Sequence, residues 1–263
     1  MTPPNAARED FPRFRLDGQV ALVTAANSGI GRAIACAMAD AGADVVVAAR
    51  DQGSSHAVVA EIEAMGRRAL GVKLDVTNMA EIQNAVDTAV AAMGRIDCLV
   101  NNAGAGPEAP AEDVSEADFD LTCAVNLKGT FFVSQAVGRL MLRQGAGRII
   151  NIGSQAGSVA LPGESIYCMT KAGISHLTRC LAIEWGARGV NVNAVAPTWI
   201  ETDGTAAFLD DADFRADVTQ RIAALHRIGK PMDVAGAVIF LASPAASLIT
   251  GHTILVDGGW TAQ

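Results

Sequence analysis

The segment QVALVTAANSGIGRAIACAMADAGA, residues 19–43, passes from an apolar run through a loop with two glycines into a helical pattern. A strand, a tight loop and a helix in this order form an anion site, because the loop amides and the helix N-terminus face the anion. Gly29 and Gly31 allow a phosphate group and the helix to come close to the backbone. The loop has Ala25 where a first glycine is expected, and its spacing also fits an ordinary turn. The methyl group of Ala25 is tolerable at negative φ and costly at positive φ.

The alternation of apolar runs and helical patterns continues to the end of the chain. Six further apolar runs have the sequences DVVVAAR, RALGVKLDV, IDCLVNNAG, GRIINIGS, GVNVNAVAP and GHTILVDGG. Continuous apolar strands separated by helices indicate a parallel sheet that is covered on both faces. With right-handed crossovers, the sequence predicts an α/β fold: a single-domain, Rossmann-like, doubly wound parallel sheet of about seven strands with helices on both faces.

The predicted domain starts near Leu16. We expect residues 1–15 to form an N-terminal tail and residues 16–263 to form the domain. Within it, the polar segment at about 198–226 is expected to be a substrate lid, since no strong apolar stripe pins it to the core. One long helix is expected over Glu116–Gln144.

Composition narrows the possible partners and locations. The chain has 263 residues and a formal net charge of -8. An acidic chain without a basic stripe argues against nucleic acid and against an anionic membrane as partners. The N-terminus lacks a signal-like apolar stretch, and charged residues interrupt every window long enough to span a bilayer. Five cysteines without a C-x-x-C pair favour reduced thiols in a cytoplasmic protein, and four unpaired histidines predict no metal site.

Three side chains near the fifth strand have a spacing that suits acid–base chemistry. Tyr167 and Lys171 are spaced i, i+4, so they share one face of the helix that follows. An unperturbed tyrosine titrates near ~10, and a nearby ammonium favours its phenolate, as would an oxidised nicotinamide. Tyr167 can then be the base for an alcohol or the acid for a ketone near neutral pH. Ser154, at the strand end, would hydrogen-bond the substrate oxygen as charge develops.

Polar motifs follow the predicted strands throughout the chain. They are NNAG at 101–104, NLKGT from Asn126, NIGS ending at Ser154, Tyr167-Cys-Met-Thr-Lys171, and NAVAPTWIET at 193–202. With these motifs the chain resembles the short-chain dehydrogenase/reductase family from Leu16 to Trp260. It departs from the family pattern at Ala25 and at APTW, where the family commonly has Pro-Gly. These departures leave the loop path open, and we expect the methyl group of Ala25 to be a small perturbation of a dinucleotide site.

The resemblance implies a catalytic set of Asn126, Ser154, Tyr167 and Lys171. In that set Lys171 also reaches the nicotinamide ribose, and Asn126 holds a water of a proton relay. The implied cofactor-binding residues lie in the glycine loop and at strand ends; they are Ala25, Asn27, Ser28, Gly29, Ile30, Gly31, Arg50, Asp75, Val76, Asn102, Ala103, Gly104, Tyr167, Lys171, Pro197, Thr198, Ile200 and Thr202.

The cofactor preference depends on the end of the second strand. An acidic residue there would bind the ribose 2′-hydroxyl of NAD, whereas an arginine suits the 2′-phosphate of NADP. The sequence places Arg50 there, which favours NADP over NAD. In the alternative interpretation, Arg50 only stacks on the adenine and Asp51 reaches the ribose.

The substrate is expected to contact Ser154, Gln155, Glu164, Tyr167 and Trp199. The resemblance implies an NAD(P)-dependent oxidoreductase that interconverts a secondary alcohol and a ketone, on a polyol, a sugar acid or a small hydroxy or keto compound. A 3-oxoacyl thioester reductase is an alternative. A nucleotide sensor without activity is another, which the intact catalytic set disfavours.

Helices at 131–137 and 174–182 have apolar faces on more than one side, which predicts a homotetramer.

Overall fold

A single parallel sheet of seven strands organises residues 13–262, the part of the chain that the computed structural model describes. The strand order is β3-β2-β1-β4-β5-β6-β7, so the direction of winding reverses between β1 and β4. The strands are β1 (Val20–Thr24), β2 (Asp44–Ala49), β3 (Ala69–Lys73), β4 (Cys98–Asn101), β5 (Gly147–Ile152), β6 (Val190–Pro197) and β7 (Thr253–Val256). The predicted doubly wound α/β sheet is therefore confirmed.

Helices cover both faces of the sheet. They are α1 (Gly29–Asp40), α2 (His56–Ala64), α3 (Met79–Met93), α4 (Glu116–Cys123), α5 (Thr130–Gln144), α6 (Ser165–Trp185), α7 (Ala206–Leu209), α8 (Ala212–Arg221) and α9 (Pro231–Ala242). Buried side chains of α1, α2 and α9 pack on one face, and those of α3, α5 and α6 pack on the other. Both faces of the central strands are buried, which explains why these strands read as continuous apolar runs.

The long helix expected over Glu116–Gln144 is interrupted in its middle. Residues Ala124–Gly129 form a π-helical turn between α4 and α5. Such turns insert an extra residue into the helix and are frequent at functional sites. Asn126 lies on this turn, where it is 1% exposed and faces α6.

The contacts of the domain begin before the expected boundary at Leu16. The carbonyl of Arg13 accepts a hydrogen bond from the amide of Ala245, and the ring of Phe14 lies 6.2 Å from that of Phe240. Residues 13–15 therefore pack on the domain. The remainder of the predicted tail, residues 1–12, lies outside the described residues.

The polar segment after β6 is better anchored than its sequence indicates. It contains α7 and α8, and Leu209, Val218 and Ile222 are buried in a small apolar cluster with Trp260. The expectation that no strong apolar stripe pins this segment to the core is wrong, since these three residues anchor it. The three residues form no periodic apolar pattern in the sequence, because they are divided between two short helices and the turn that follows them.

Ala25 has a φ of 49°, in the left-handed region. The expectation that its methyl group is a small perturbation is wrong for the backbone, since this region costs an L-residue roughly 1–2 kcal/mol. The neighbouring loop accounts for the conformation: a side chain at Gly31 would overlap the carbonyl oxygen of Ala25. The turn thus brings the start of α1 against the end of β1, and Ala25 carries the strain of that approach.

We predict that Ala25→Gly stabilises the protein and that Ala26→Gly destabilises it. Glycine relieves the positive φ of Ala25, although its larger unfolded-state entropy offsets roughly 0.5–1 kcal/mol of the gain. Ala26 is fully buried and lacks a positive φ, so it gains nothing and loses a packed methyl group. Thermal unfolding measures both variants, and Ala26→Gly is the matched control. An equal loss of Tm in the two variants would show that Ala25 is unstrained.

Candidate active site

A pocket of about 310 Å³ opens at the carboxyl ends of the strands. The exits of β4, β5 and β6 contribute to its wall, together with α6 and the segment after β6. Thirteen of the residues singled out from the sequence line it: Ile30, Asn102, Gly104, Ser154, Gln155, Glu164, Tyr167, Lys171, Pro197, Thr198, Trp199, Ile200 and Thr202. Parallel strands place their exits on one edge, which explains why residues so distant in sequence meet here.

Lys171 is a buried cation in the wall of this pocket. Its side chain is spaced one helical turn from Tyr167, and its Nζ lies 5.4 Å from the centroid of the Tyr167 ring. Nζ donates a 2.9 Å hydrogen bond to the carbonyl oxygen of Ile152 at the end of β5. Burial disfavours the charged form and lowers the pKa of Lys171 to about 8.

The phenol of Tyr167, a partly buried residue, lies near Ser154. Burial raises the pKa of Tyr167 to about 12, and the nearby hydroxyl of Ser154 acts in the opposite direction. Among the protein's own groups, burial therefore has the largest effect on the pKa of Tyr167, whereas the sequence led us to expect that a nearby ammonium favours the phenolate. The phenol keeps its proton at neutral pH unless a further positive charge lies close to it.

Ser154 is held in place by its own turn. Its hydroxyl donates to Oε1 of Gln155 over 2.9 Å and accepts from the amide of Ala156 over 3.1 Å. Ser154 is 7% exposed. This turn fixes the hydroxyl at the end of β5, where it lines the same pocket as the Tyr167 phenol.

Asn126 joins the loop after β4 to α6 from behind the pocket. Its Oδ1 accepts from the amide of Ala105, and its Nδ2 donates to the carbonyl of Ala105 and to Oγ1 of Thr170, all over 2.8–2.9 Å. Asn126 does not line the pocket. Its side-chain amide fixes the relative position of the NNAG loop and α6.

The glycine loop and the NNAG loop are tied together by Thr24, which sequence reasoning missed. Oγ1 of Thr24 accepts from the amides of Asn102 and Ala103, and Nδ2 of Asn102 donates to the carbonyls of Thr24 and Ala25. Thr24 is buried at the end of β1. A hydroxyl ending an otherwise apolar strand is the signal that could have found it.

Several expected cofactor residues lie beside the pocket rather than in its wall. They occupy the first loop and the exits of β2, β3 and β4: Ala25, Asn27, Ser28, Gly29, Gly31, Arg50, Asp75, Val76 and Ala103. Ser28 is the N-cap of α1, and its side chain makes no capping hydrogen bond. The first amides of α1 therefore remain available to an anion.

The charged side chains at the exits of β2 and β3 differ in whether they already have partners in the protein. Arg50 is exposed and forms no ion pair within residues 13–262. The side chain of Asp51 accepts from the amide of Gly53, as the cap of a short turn. Asp75 accepts from the amide and the hydroxyl of Thr77, and these hydrogen bonds lower the pKa of Asp75.

The outer part of the pocket combines an aromatic wall with two carboxylates. The ring of Trp199 lies 5.9 Å from that of Phe208 and 5.0 Å from that of Phe214. Burial, followed by the charge of Glu108, raises the pKa of Glu164 to about 7. Sequence reasoning missed Glu108, because it lies in an irregular loop where no pattern indicates the direction of a side chain.

Comparisons with known proteins agree with this geometry. A family model described as enoyl-(acyl carrier protein) reductase, one of the short-chain dehydrogenase/reductase models, matches residues 24–261. The chain belongs to the short-chain dehydrogenase/reductase family. As a member of that family, it is an NAD(P)-dependent oxidoreductase that interconverts an alcohol and a ketone.

Relatives within the family differ in their named substrates. A D-threitol dehydrogenase of Mycolicibacterium smegmatis is 42% identical over 261 residues, which cover 99% of both chains. A 3-oxoacyl-[acyl-carrier-protein] reductase of Synechocystis is 44% identical over 246 residues, covering 93% of this chain and 97% of that one. The structure of a gluconate 5-dehydrogenase from Burkholderia cenocepacia in complex with NADP and tartrate superposes with a TM-score of 0.92 at 37% identity, covering 96% and 98% of the two chains.

None of the helices in residues 13–262 is long and apolar enough to cross a membrane. Within the same range, the side chains of His, Cys, Asp and Glu do not gather in threes with the geometry of a metal site.

We predict that Tyr167→Phe lowers kcat on the order of 10²–10⁴-fold while the affinity for the cofactor is retained. The phenol lies in the wall of the pocket, and removal of a positioned acid or base has an effect of this size. Steady-state kinetics and a cofactor titration measure the two quantities. A variant with more than half of the wild-type kcat would contradict the assignment of Tyr167.

Proposed function

We propose that the protein interconverts a secondary alcohol and a ketone on a small polyhydroxy compound, with NADP as the preferred cofactor. The observation that carries this proposal is the Tyr167 phenol in the wall of the pocket, between Ser154 and the buried ammonium of Lys171. The pocket is lined by residues that can donate and accept hydrogen bonds, such as Gln155 and Glu164. Relatives named for threitol and gluconate support this substrate class.

The residues of the first loop fit a dinucleotide. The N-terminus of α1 has free amides behind Ser28, and Gly31 lacks the Cβ that would overlap the carbonyl oxygen of Ala25, so α1 begins close to the end of β1. We propose that these residues bind the pyrophosphate, that Asp75 and Val76 border the adenine, and that Lys171 reaches the ribose of the nicotinamide. The bound nicotinamide supplies the hydride acceptor or donor, and the protein orients it.

Tyr167 would move the proton. In the direction of reduction, its phenol donates a proton to the carbonyl oxygen of the substrate, while Ser154 donates a hydrogen bond to the same oxygen. In the direction of oxidation, the phenol must first lose its proton. The pKa of about 12 in the protein alone makes a second positive charge necessary, and an oxidised nicotinamide would add one to that of Lys171.

Asn126 would take part as a positioning residue. Its amide ties the loop after β4 to Thr170, on the same helix as Lys171. The family resemblance also implies that Asn126 holds a water of a proton relay, and we propose this role for it.

The preference for NADP rests on Arg50. This side chain is exposed at the end of β2 and free of ion pairs among the described residues, so it is available to a 2′-phosphate. Asp51 is engaged with the amide of Gly53, which weakens the alternative in which it binds the ribose of NAD.

A 3-oxoacyl thioester reductase is the second candidate function. The relative from Synechocystis with that name supports it, at 44% identity. The residues expected to move the proton are the same for both reactions. The two candidates differ only in the part of the substrate beyond the reacting carbon.

We propose a cytoplasmic homotetramer as the working form. Large apolar side chains are exposed on α5 and α6, namely Phe131, Met169 and Ile183, and a second group near β7 comprises Leu248 and Leu255. Two separate self-complementary surfaces lead to dihedral symmetry. All five cysteines are free, as in a protein of a reducing compartment.

We further propose that Thr202–His226 acts as the lid of the pocket. Thr205 and Phe208, near its start, line the pocket wall. Val218 and Ile222, in its second half, are buried against the domain. Leu209, at the end of α7, is buried in the same cluster, so any movement that admits the substrate would be confined to the residues that precede it.

We predict that Arg50→Ala weakens NADP binding about tenfold and changes NAD binding less than twofold. The substitution removes one exposed, charge-assisted contact to the 2′-phosphate, which NAD lacks. Titration of both cofactors measures the effect, with Arg143→Ala, an exposed arginine at the end of α5, as the control.

The wild-type protein is also assayed with a panel of substrates. Polyols, sugar acids, secondary alcohols, ketones and a 3-oxoacyl thioester are each tested with both cofactors at the absorbance band of the reduced nicotinamide. Turnover of polyhydroxy compounds with NADP is expected. Equal losses of affinity for NADP and NAD in Arg50→Ala, or turnover of the thioester alone, would contradict the proposal.

A further inference from the structure

Two carboxylates, Glu108 and Glu164, stand together on the outer wall of the pocket. The amide of Ala109 donates a 3.0 Å hydrogen bond to the carbonyl of Gly163, so the two chain segments that carry the carboxylates are fixed side by side. Within residues 13–262, neither carboxylate forms an ion pair or a side-chain hydrogen bond. The acceptor oxygens of both are therefore available to a molecule in the pocket.

The pocket offers no cation near these carboxylates. Among its lining residues, Lys171 is the one basic side chain, and arginine and histidine are absent from the lining. The ammonium of Lys171 is buried beside Tyr167 and donates to the carbonyl of Ile152. A carboxylate on the substrate would thus meet two acidic side chains without a counter-charge of its own, and Glu164 repels it as a charge above its raised pKa of about 7.

A neutral polyhydroxy compound would be attracted to these carboxylates instead of repelled by them. Its hydroxyl groups can donate to the unpaired oxygens of Glu164 and Glu108, and hydrogen bonds to charged acceptors are the stronger kind. Gln155, which is 2% exposed, adds a side-chain amide to the same pocket, and Trp199 supplies an apolar wall for the carbon chain.

We propose that Glu164, with Glu108 at the rim, selects neutral polyols and rejects substrates that carry a carboxylate. This inference rests on the proposed function and narrows its substrate class. Glu164 is the more buried of the two, so it sets most of the selectivity, while Glu108 is exposed and its charge is screened by solvent. Neither residue moves the proton of the reaction, and both act on the part of the substrate beyond the reacting carbon.

The test compares a polyol with the aldonic acid of the same chain length, such as glucitol with gluconate and threitol with threonate. Each pair differs mainly in one terminal group, a hydroxymethyl group or a carboxylate. Assayed above the pKa of Glu164, about 7, the wild-type protein is expected to favour the polyol by about a hundredfold in kcat/KM, since like charges several ångströms apart at a protein surface have effects of this order. A wild-type protein that uses both members of each pair equally well would overturn the inference.

The variants Glu164→Gln and Glu108→Gln, alone and combined, assign the selectivity to its residues. Glutamine keeps the size and the hydrogen-bonding capacity of the side chain but removes the charge. We expect the preference for the polyol to shrink about tenfold in Glu164→Gln, less in Glu108→Gln and most in the double variant, through a lower KM for the acid. Glu112→Gln, on the same loop but outside the pocket, is the matched control and should leave the preference unchanged.

Thermal unfolding of each variant separates selectivity from folding. A double variant with the wild-type Tm and the wild-type preference would overturn the assignment to these carboxylates. The proposed function fails differently: if neither polyols nor aldonic acids are turned over by the wild-type protein, the polyhydroxy substrate class is rejected and this inference with it. Equal turnover of both classes rejects the carboxylates' role and leaves the proposed function standing.

Discussion

The burial of the Lys171 ammonium is the constraint on which the site depends. A buried cation needs a partner, and the fold supplies one in the carbonyl oxygen of Ile152, at the point where β5 ends. That contact fixes α6 against the sheet. It thereby fixes Tyr167, one helical turn earlier, beside the Ser154 hydroxyl that follows the same strand.

The same burial sets the direction of the proton chemistry. It lowers the pKa of Lys171 to about 8 and raises that of Tyr167 to about 12, so the protein alone holds a protonated phenol. The charge state of the site is therefore governed by what binds next to it. The phenol would then lose its proton only when a further positive charge lies close to it, so the acid–base reaction would depend on the bound cofactor. The carboxylates at the outer wall would act on the substrate alone.

The sequence predicts the parts of this molecule that follow from periodicity and spacing. Seven apolar runs became seven strands in one parallel sheet, and the i, i+4 spacing placed Tyr167 and Lys171 on one face of α6. Features that depend on how distant segments meet escaped it. Ala25 has a positive φ where its carbonyl lies against Gly31, and the segment that carries Glu108 is held at the pocket by the hydrogen bond between Ala109 and Gly163. Neither contact has a local signature in the sequence.

Tyr167 is the one tyrosine in the chain, so the ultraviolet absorbance of tyrosinate reports this side chain alone, with Tyr167→Phe as the blank. Titration of the protein with and without oxidised NADP tests the central claim, that burial holds the phenol protonated until a second positive charge lies beside it. The account predicts a pKa of about 12 without the cofactor and a clearly lower pKa with it. A phenol that titrates near its ordinary value of ~10 in both states would contradict the account.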